Sequence, residues 1–172
     1  MEQRSYTSGN RCRNQGRKNT NNQDLEKNYQ RIWQTGKLDY KNILEETKDI
    51  HSRNIQIVEF IKNMEMAYSA ADVIVSRAGA IAISELAIAK KPVLLVPFPF
   101  AAEDHQTKNA QTLVEKNAAK MVKDTEMKEK FWNTLSEICE NDSLRTEMAQ
   151  NLDFFAKPKA TEEIVDEILK TL

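Results

Sequence analysis

The sequence predicts an α/β domain, a parallel sheet with flanking helices, followed by a helical carboxyl-terminal segment. Three observations carry this expectation. From Arg31 onward, short β-branched runs alternate with longer helical patterns. The run "DVIVS", Asp72 to Ser76, has no polar residue alternating into it, as suits a strand covered on both faces. Successive strands are separated by single helices of about ten residues, which implies right-handed crossovers and parallel pairing.

In order along the chain, "RIWQT" is the first strand. "LDYKNILEETKD" follows with Leu38, Ile43 and Leu44 in rough helical spacing, and "IQIVEF", Ile55 to Phe60, is the next strand. "IKNMEMAYSAA" reads as helix, "DVIVS" as strand, "AIAISELAIAK" as helix and "PVLLVP" as strand. "DHQTKNAQTLVEKN" is helical and "AKMVK" is the last strand, which completes a Rossmann-like pattern. Beyond Lys123 the pattern is helical to the end. Phe131, Leu135 and Ile138 share one helix face, as do Ile164, Ile168 and Leu169, and both faces are expected to pack on the sheet and its partners. Pro158 interrupts the chain between the last two helices.

A chain of 172 residues suits one domain with its own core. Its 25 Lys and Arg nearly balance its 26 Asp and Glu, so no global field draws it to nucleic acid or an anionic membrane, and nucleic acid is not an expected partner. Cys12 and Cys139 lack metal or redox spacing, so free thiols in a reducing cytoplasm are expected. The apolar runs fall short of the roughly 20 residues of a membrane span, and the amino terminus has no apolar core for a secretory signal. Residues 1–30 are polar, with hardly any aliphatics to bury, and are expected to form a disordered or weakly ordered tail ahead of a domain over 31–172. The tail's basic excess is the one feature that would suit a nucleic-acid arm.

In an open parallel sheet, ligands bind beyond the carboxyl ends of the strands, and three segments lie there. "QTGK", Gln34 to Lys37, is a polar turn containing glycine; a plain strand-to-helix turn explains it equally well. "SRAGA", Ser76 to Ala80, offers a sharp turn at Gly79, small neighbours, and the unpaired N–H groups of a helix start that would welcome a phosphate. It is a single glycine and not GxGxxG, so an ordinary tight turn also fits. "PFPFAAEDHQTKNA", Pro97 to Ala110, has a strand end stiffened by Pro97 and Pro99. Glu103 or Asp104 is placed to cap the next helix, and His105, Gln106 and Asn109 gather at its start. A solvated helix face accounts for the same residues.

Glu85 lies on the second turn of a helix that is otherwise Ala, Ile, Leu and Ser. An unpaired buried carboxylate costs several kcal/mol, on the order of a lost buried ion pair, so its oxygens must find donors. Either Glu85 emerges at a pocket edge and complements the helix dipole, or it accepts both hydroxyls of a nucleotide ribose. The residues alone leave both readings open. His51 and His105 have no Cys or paired carboxylates at ligand spacing, so no metal centre is expected.

Taken together, "IWQTGK", "VEFIKNMEMAYSAADVIVSRAGAIAISELA", "KPVLLVPFPFAAEDHQTKNA" and "EKNAAKMV" resemble the carboxyl-terminal half of the MurG family of UDP-N-acetylglucosamine transferases, over Arg31 to Leu172. The resemblance implies the donor-binding domain of a GT-B glycosyltransferase. Glu85 would take the ribose hydroxyls, and Phe60 and Ile61 would lie against the uracil. Thr35 and the turn Gly79, Ala80, Ile81 and Ala82 would surround the diphosphate, with Arg77 beside it. His105, Gln106 and Asn109 would reach the glucosamine hydroxyls. The family transfers GlcNAc from UDP-GlcNAc to a lipid-linked muramoyl pentapeptide, inverting the anomeric carbon without a cofactor or an essential metal. It is peripheral on the cytoplasmic face of the inner membrane.

Two departures accompany the resemblance. The family carries an acceptor-binding domain ahead of this one, which would supply membrane contact and any general base, and nothing here resembles it; the chain alone is expected to be inactive. The family's donor domain also opens with a strand and a "GGS" loop, where this chain has "SGNRCRNQGRKNTNNQDLEKN". Residues 1–30 are therefore expected to be an out-of-frame or truncated segment. An upstream DNA sequence with no Gly-rich loop and no acceptor domain in any frame would count against this. Two alternatives stand beside the enzyme reading: a donor-binding subunit acting with a separate membrane subunit, as in the eukaryotic two-chain dolichol-linked GlcNAc transferase, and a non-catalytic gene remnant.

Overall fold

The computed structural model describes residues 29–48 and 54–171. Its elements are β1 (Arg31–Gln34), α1 (Tyr40–Glu46), β2 (Ile55–Val58), α2 (Met64–Ala70), β3 (Ile74–Ser76) and α3 (Ala80–Ala89). They continue as β4 (Val93–Leu95), α4 (His105–Glu115), β5 (Lys120–Met121), α5 (Met127–Glu140), α6 (Asp142–Leu152) and α7 (Ala160–Leu169). All five expected strands form, and every ladder among them is parallel. β1 pairs β2 with Arg31 opposite Ile55, β3 pairs β4 with Ile74 opposite Val93, and β4 pairs β5 with Leu94 opposite Lys120. The described strands thus form two sheets, β1-β2 and β3-β4-β5. These orders match places 3-2 and 4-5-6 of the doubly wound order 3-2-1-4-5-6, and no described strand takes the first place.

The continuous apolar character of β3 and β4 follows from burial on both faces. Ile74, Val93 and Leu95 point into one cluster with Tyr68, Leu86, Leu113 and Leu152. Val73, Val75, Leu94 and Val96 point into the other with Leu135, Ile138 and Met148. Neighbouring residues alternate between the two faces with the period of a strand. Helices α2, α3 and α4, with Leu152 at the end of α6, cover one face, and α5 with Met148 of α6 covers the other. Asn63 starts α2 by accepting the Met66 N–H at 2.9 Å, and Asn141 starts α6 by accepting the Leu144 N–H at 3.0 Å, which divides α5 from α6.

One packing expectation fails. Leu135 and Ile138 are buried with Phe131 against them, but α7 has no buried residue: Ile164 is 61% exposed, Ile168 55% and Leu169 61%. The reason is one of available surface. Both faces of β3-β4-β5 are already covered when the chain passes Pro158, so the apolar stripe of α7 meets no vacant sheet. The expected tail lies outside the described residues up to residue 28, as do Cys12 and His51. Cys139 is buried. Among the described residues, no helix is long and apolar enough to cross a membrane.

Candidate nucleotide site

Four buried polar side chains stand out among the described residues: Gln34, Thr35, Ser76 and Gln106. Each lies at the carboxyl end of a strand or in the first turn of α4. Burying a polar group is unfavourable unless it is bonded, and here the bonds tie loops together.

At the ends of β1 and β2, the Thr35 N–H donates to Val58 O at 3.0 Å and the Gly36 N–H to Glu59 O at 3.1 Å. Gln34 Oε1 accepts the Ile61 N–H at 2.8 Å, which fixes the Phe60–Ile61 segment. Phe60 is 68% exposed, an aromatic ring left on the surface beyond β2, whereas Ile61 packs against the core. Gly36 has φ +77°, and a Cβ there would meet nothing within 4 Å. Its substitution is a matter of backbone strain alone, so Gly36→Ala is expected to cost about 1 to 2 kcal/mol in a urea unfolding curve. A cost below about 0.3 kcal/mol would show that the turn is not held in this conformation.

At the ends of β3 and β4, Gln106 Oε1 accepts two backbone groups, the Ala78 N–H at 3.2 Å and the Phe98 N–H at 2.9 Å. Asn109 Nδ2 donates to Ala78 O at 3.1 Å. The amides at the start of α4 therefore clamp both the "SRAGA" and the "PFPF" loops. His105 joins no such bond; its ring is exposed, with Nε2 3.6 Å from Glu103 Oε2. Arg77 is turned to Asp124 at 2.8 Å, donates to Val96 O and Pro97 O at 3.2 Å each, and lies over the Phe98 ring.

Two local expectations are corrected. Gly79 precedes α3 with φ −68°, a conformation any residue adopts, so its contribution is small size in a buried position and not a sharp turn. Asp104 occupies the cap position of α4 but makes no capping bond. It and Glu103 have φ of 57° and 49°, left-handed values that direct the chain into the helix without side-chain help. In α3, the first intrahelical bond runs from the Ile83 N–H to Gly79 O, so the amides of Ala80, Ile81 and Ala82 lie at the open end of the helix. Ile81 itself is 70% exposed there.

Glu85 is half-buried, and Tyr68 Oη donates to its Oε2 at 2.8 Å. A groove of about 490 Å³ runs between α2 and α3, with Met64, Tyr68, Glu85, Ile88 and Lys91 in its wall. The sequence did not single out Tyr68. A tyrosine at helical spacing reads as core, and the partner of its hydroxyl lies 17 residues away on another helix. Among the described residues, no group of three or more His, Cys, Asp or Glu is arranged to hold a metal ion.

The arrangement brings an open helix start and two clamped loops to the carboxyl ends of parallel strands, which is the place of ligand binding in such sheets, with Glu85 on the second turn of the helix that starts there. Comparison with known proteins gives the family. Residues 10–166 match the model of the glycosyltransferase family 28 C-terminal domain. The UDP-N-acetylglucosamine--N-acetylmuramyl-(pentapeptide) pyrophosphoryl-undecaprenol N-acetylglucosamine transferase of Cytophaga hutchinsonii is 46% identical over 141 residues, 82% of this chain and 37% of the relative. The protein of the same name from Flavobacterium psychrophilum is 42% identical over 147 residues, 85% of this chain and 39% of the relative. The chain thus spans under two fifths of the length of these relatives. The crystal structure of Acinetobacter baumannii MurG superposes with a TM-score of 0.69 at 38% identity, covering 81% of this chain and 40% of that one. The spinosyn forosaminyltransferase SpnP shares the fold alone, with a TM-score of 0.55 at 14% identity over 70% of this chain and 30% of that one.

Proposed function

Because the chain belongs to the glycosyltransferase family 28 C-terminal domain family, we propose that it is the donor-binding part of an inverting N-acetylglucosaminyltransferase that takes UDP-GlcNAc. The reaction served is transfer of GlcNAc to an undecaprenyl-pyrophosphoryl-muramoyl pentapeptide in peptidoglycan synthesis, at the cytoplasmic face of the membrane. Acceptor binding and the general base belong to the portion of the relatives that this chain does not match. The donor would lie across the carboxyl ends of the strands. The diphosphate meets the open start of α3 at Gly79 to Ala82 and the Thr35 turn, where helix amides stabilise the leaving UDP without a metal. The uracil lies against Phe60 and Ile61. His105, exposed at the start of α4, faces the sugar, and the loops held by Gln106 and Asn109 shape its pocket.

The observation that carries this reading is the position of Glu85, a half-buried carboxylate on the second turn of α3 with its Oε2 held by Tyr68. A carboxylate offers about four acceptor sites, enough for a tyrosine hydroxyl and both hydroxyls of a ribose. Calorimetric titration with UDP-GlcNAc and UDP-glucose tests it. Glu85→Gln is expected to weaken both by about 1 to 3 kcal/mol, because both carry the same ribose. Equal binding by variant and parent removes Glu85 from the site.

A further inference from the structure

We propose that Tyr68 is a positioning residue that makes the site selective for ribonucleotides, by holding the Glu85 carboxylate ready for the 2′ and 3′ hydroxyls. The inference rests on the reading of Glu85 as the ribose acceptor and adds a residue on a different helix. Three observations carry it. Tyr68 is 8% exposed and belongs to the buried cluster that includes Ala71, Ile74 and Leu86, so the hydroxyl is presented from a fixed platform. That hydroxyl donates to Glu85 Oε2 at 2.8 Å, from α2 across to α3. The helix carrying Tyr68 is set at its start by Asn63, just beyond the Phe60–Ile61 segment that Gln34 ties to β1.

A free glutamate side chain loses rotamer freedom when it binds a ligand, and prior fixation by a rigid partner removes part of that cost. The hydroxyl also restricts which carboxylate lone pairs remain directed outward, which a cis-diol reads and a deoxysugar does not. Glu85 supplies the contact, and Tyr68 supplies its orientation.

The test is calorimetric titration of the full chain with UDP and with 2′,3′-dideoxyuridine 5′-diphosphate, for the parent, Tyr68→Phe, Glu85→Gln and the double variant. Tyr68→Phe is expected to weaken UDP about threefold to tenfold, the loss of one hydrogen bond, and to leave the dideoxy compound unchanged. In the Glu85→Gln background, adding Tyr68→Phe is expected to have no further effect on UDP. The dideoxy titration serves as the folding control, since a variant that binds it like the parent has kept its site. Equal weakening of both nucleotides, no weakening of UDP, or additivity with Glu85→Gln would overturn the proposal while leaving the Glu85 reading standing. An unchanged UDP affinity in Glu85→Gln, or no binding of UDP by the parent at millimolar concentration, overturns both.

Discussion

Leu94→Ala is expected to lower the unfolding free energy by about 2 to 5 kcal/mol, the range for removing a large aliphatic side chain from a closed core. Leu94 is fully buried at the centre of β4, the middle strand of β3-β4-β5. Its side chain faces Leu135, Ile138 and Met148 of α5 and α6, so the variant would leave a cavity between sheet and helices. The companion measurement is Ile164→Ala on α7. With that side chain 61% exposed, its loss is expected to fall within about 0.5 kcal/mol. Urea unfolding curves of the two variants separate the helices that build the core from the one that does not. Comparable losses would mean that α7 packs on the body of the protein after all.

Gln106→Leu is expected to cost about 2 to 4 kcal/mol, although it replaces a polar side chain with an apolar one of similar size. The loss arises from the groups left behind. The Ala78 and Phe98 N–H groups would lose their common acceptor, and Ala78 is fully buried, so water cannot replace it there. Hydrogen exchange should show the effect locally, with protection falling at the amides of Ala78 and Phe98 first. UDP-GlcNAc affinity should fall as well, because the two loops beyond β3 and β4 lose their shared tether. Asn109→Ala, which removes a single bond to Ala78 O, should do less, about 1 kcal/mol. A Gln106→Leu variant as stable as the parent would return Gln106 to a purely ligand-facing role.

These experiments bear on how much of the site was legible beforehand. The positions of Thr35, Phe60, Arg77, Gly79, Glu85 and His105 at strand ends or helix starts followed from the alternation of β-branched runs with helical patterns, because a parallel sheet puts all its βα turns on one side. The direction of each side chain did not follow. Gln106 and Asn109 read as free amides on a helix start, yet their bonds go to backbone groups of loops about 10 to 30 residues earlier in the chain. The left-handed backbone at Glu103 and Asp104 was equally hidden, since Asp before a helix signals a side-chain cap by composition alone.

By itself the sequence determined which segments become strands and helices, that the ladders run parallel, and that the strand within Asp72 to Ser76 is covered on both faces. Those properties are local periodicities and crossover lengths, readable over about ten residues at a time. Only the tertiary structure decided that the described strands divide into β1-β2 and β3-β4-β5, that α7 stays outside the core, and that Tyr68 meets Glu85. Each of these depends on competition for a limited buried surface or on the meeting of groups from separate elements, and side-chain spacing along one element does not contain that information.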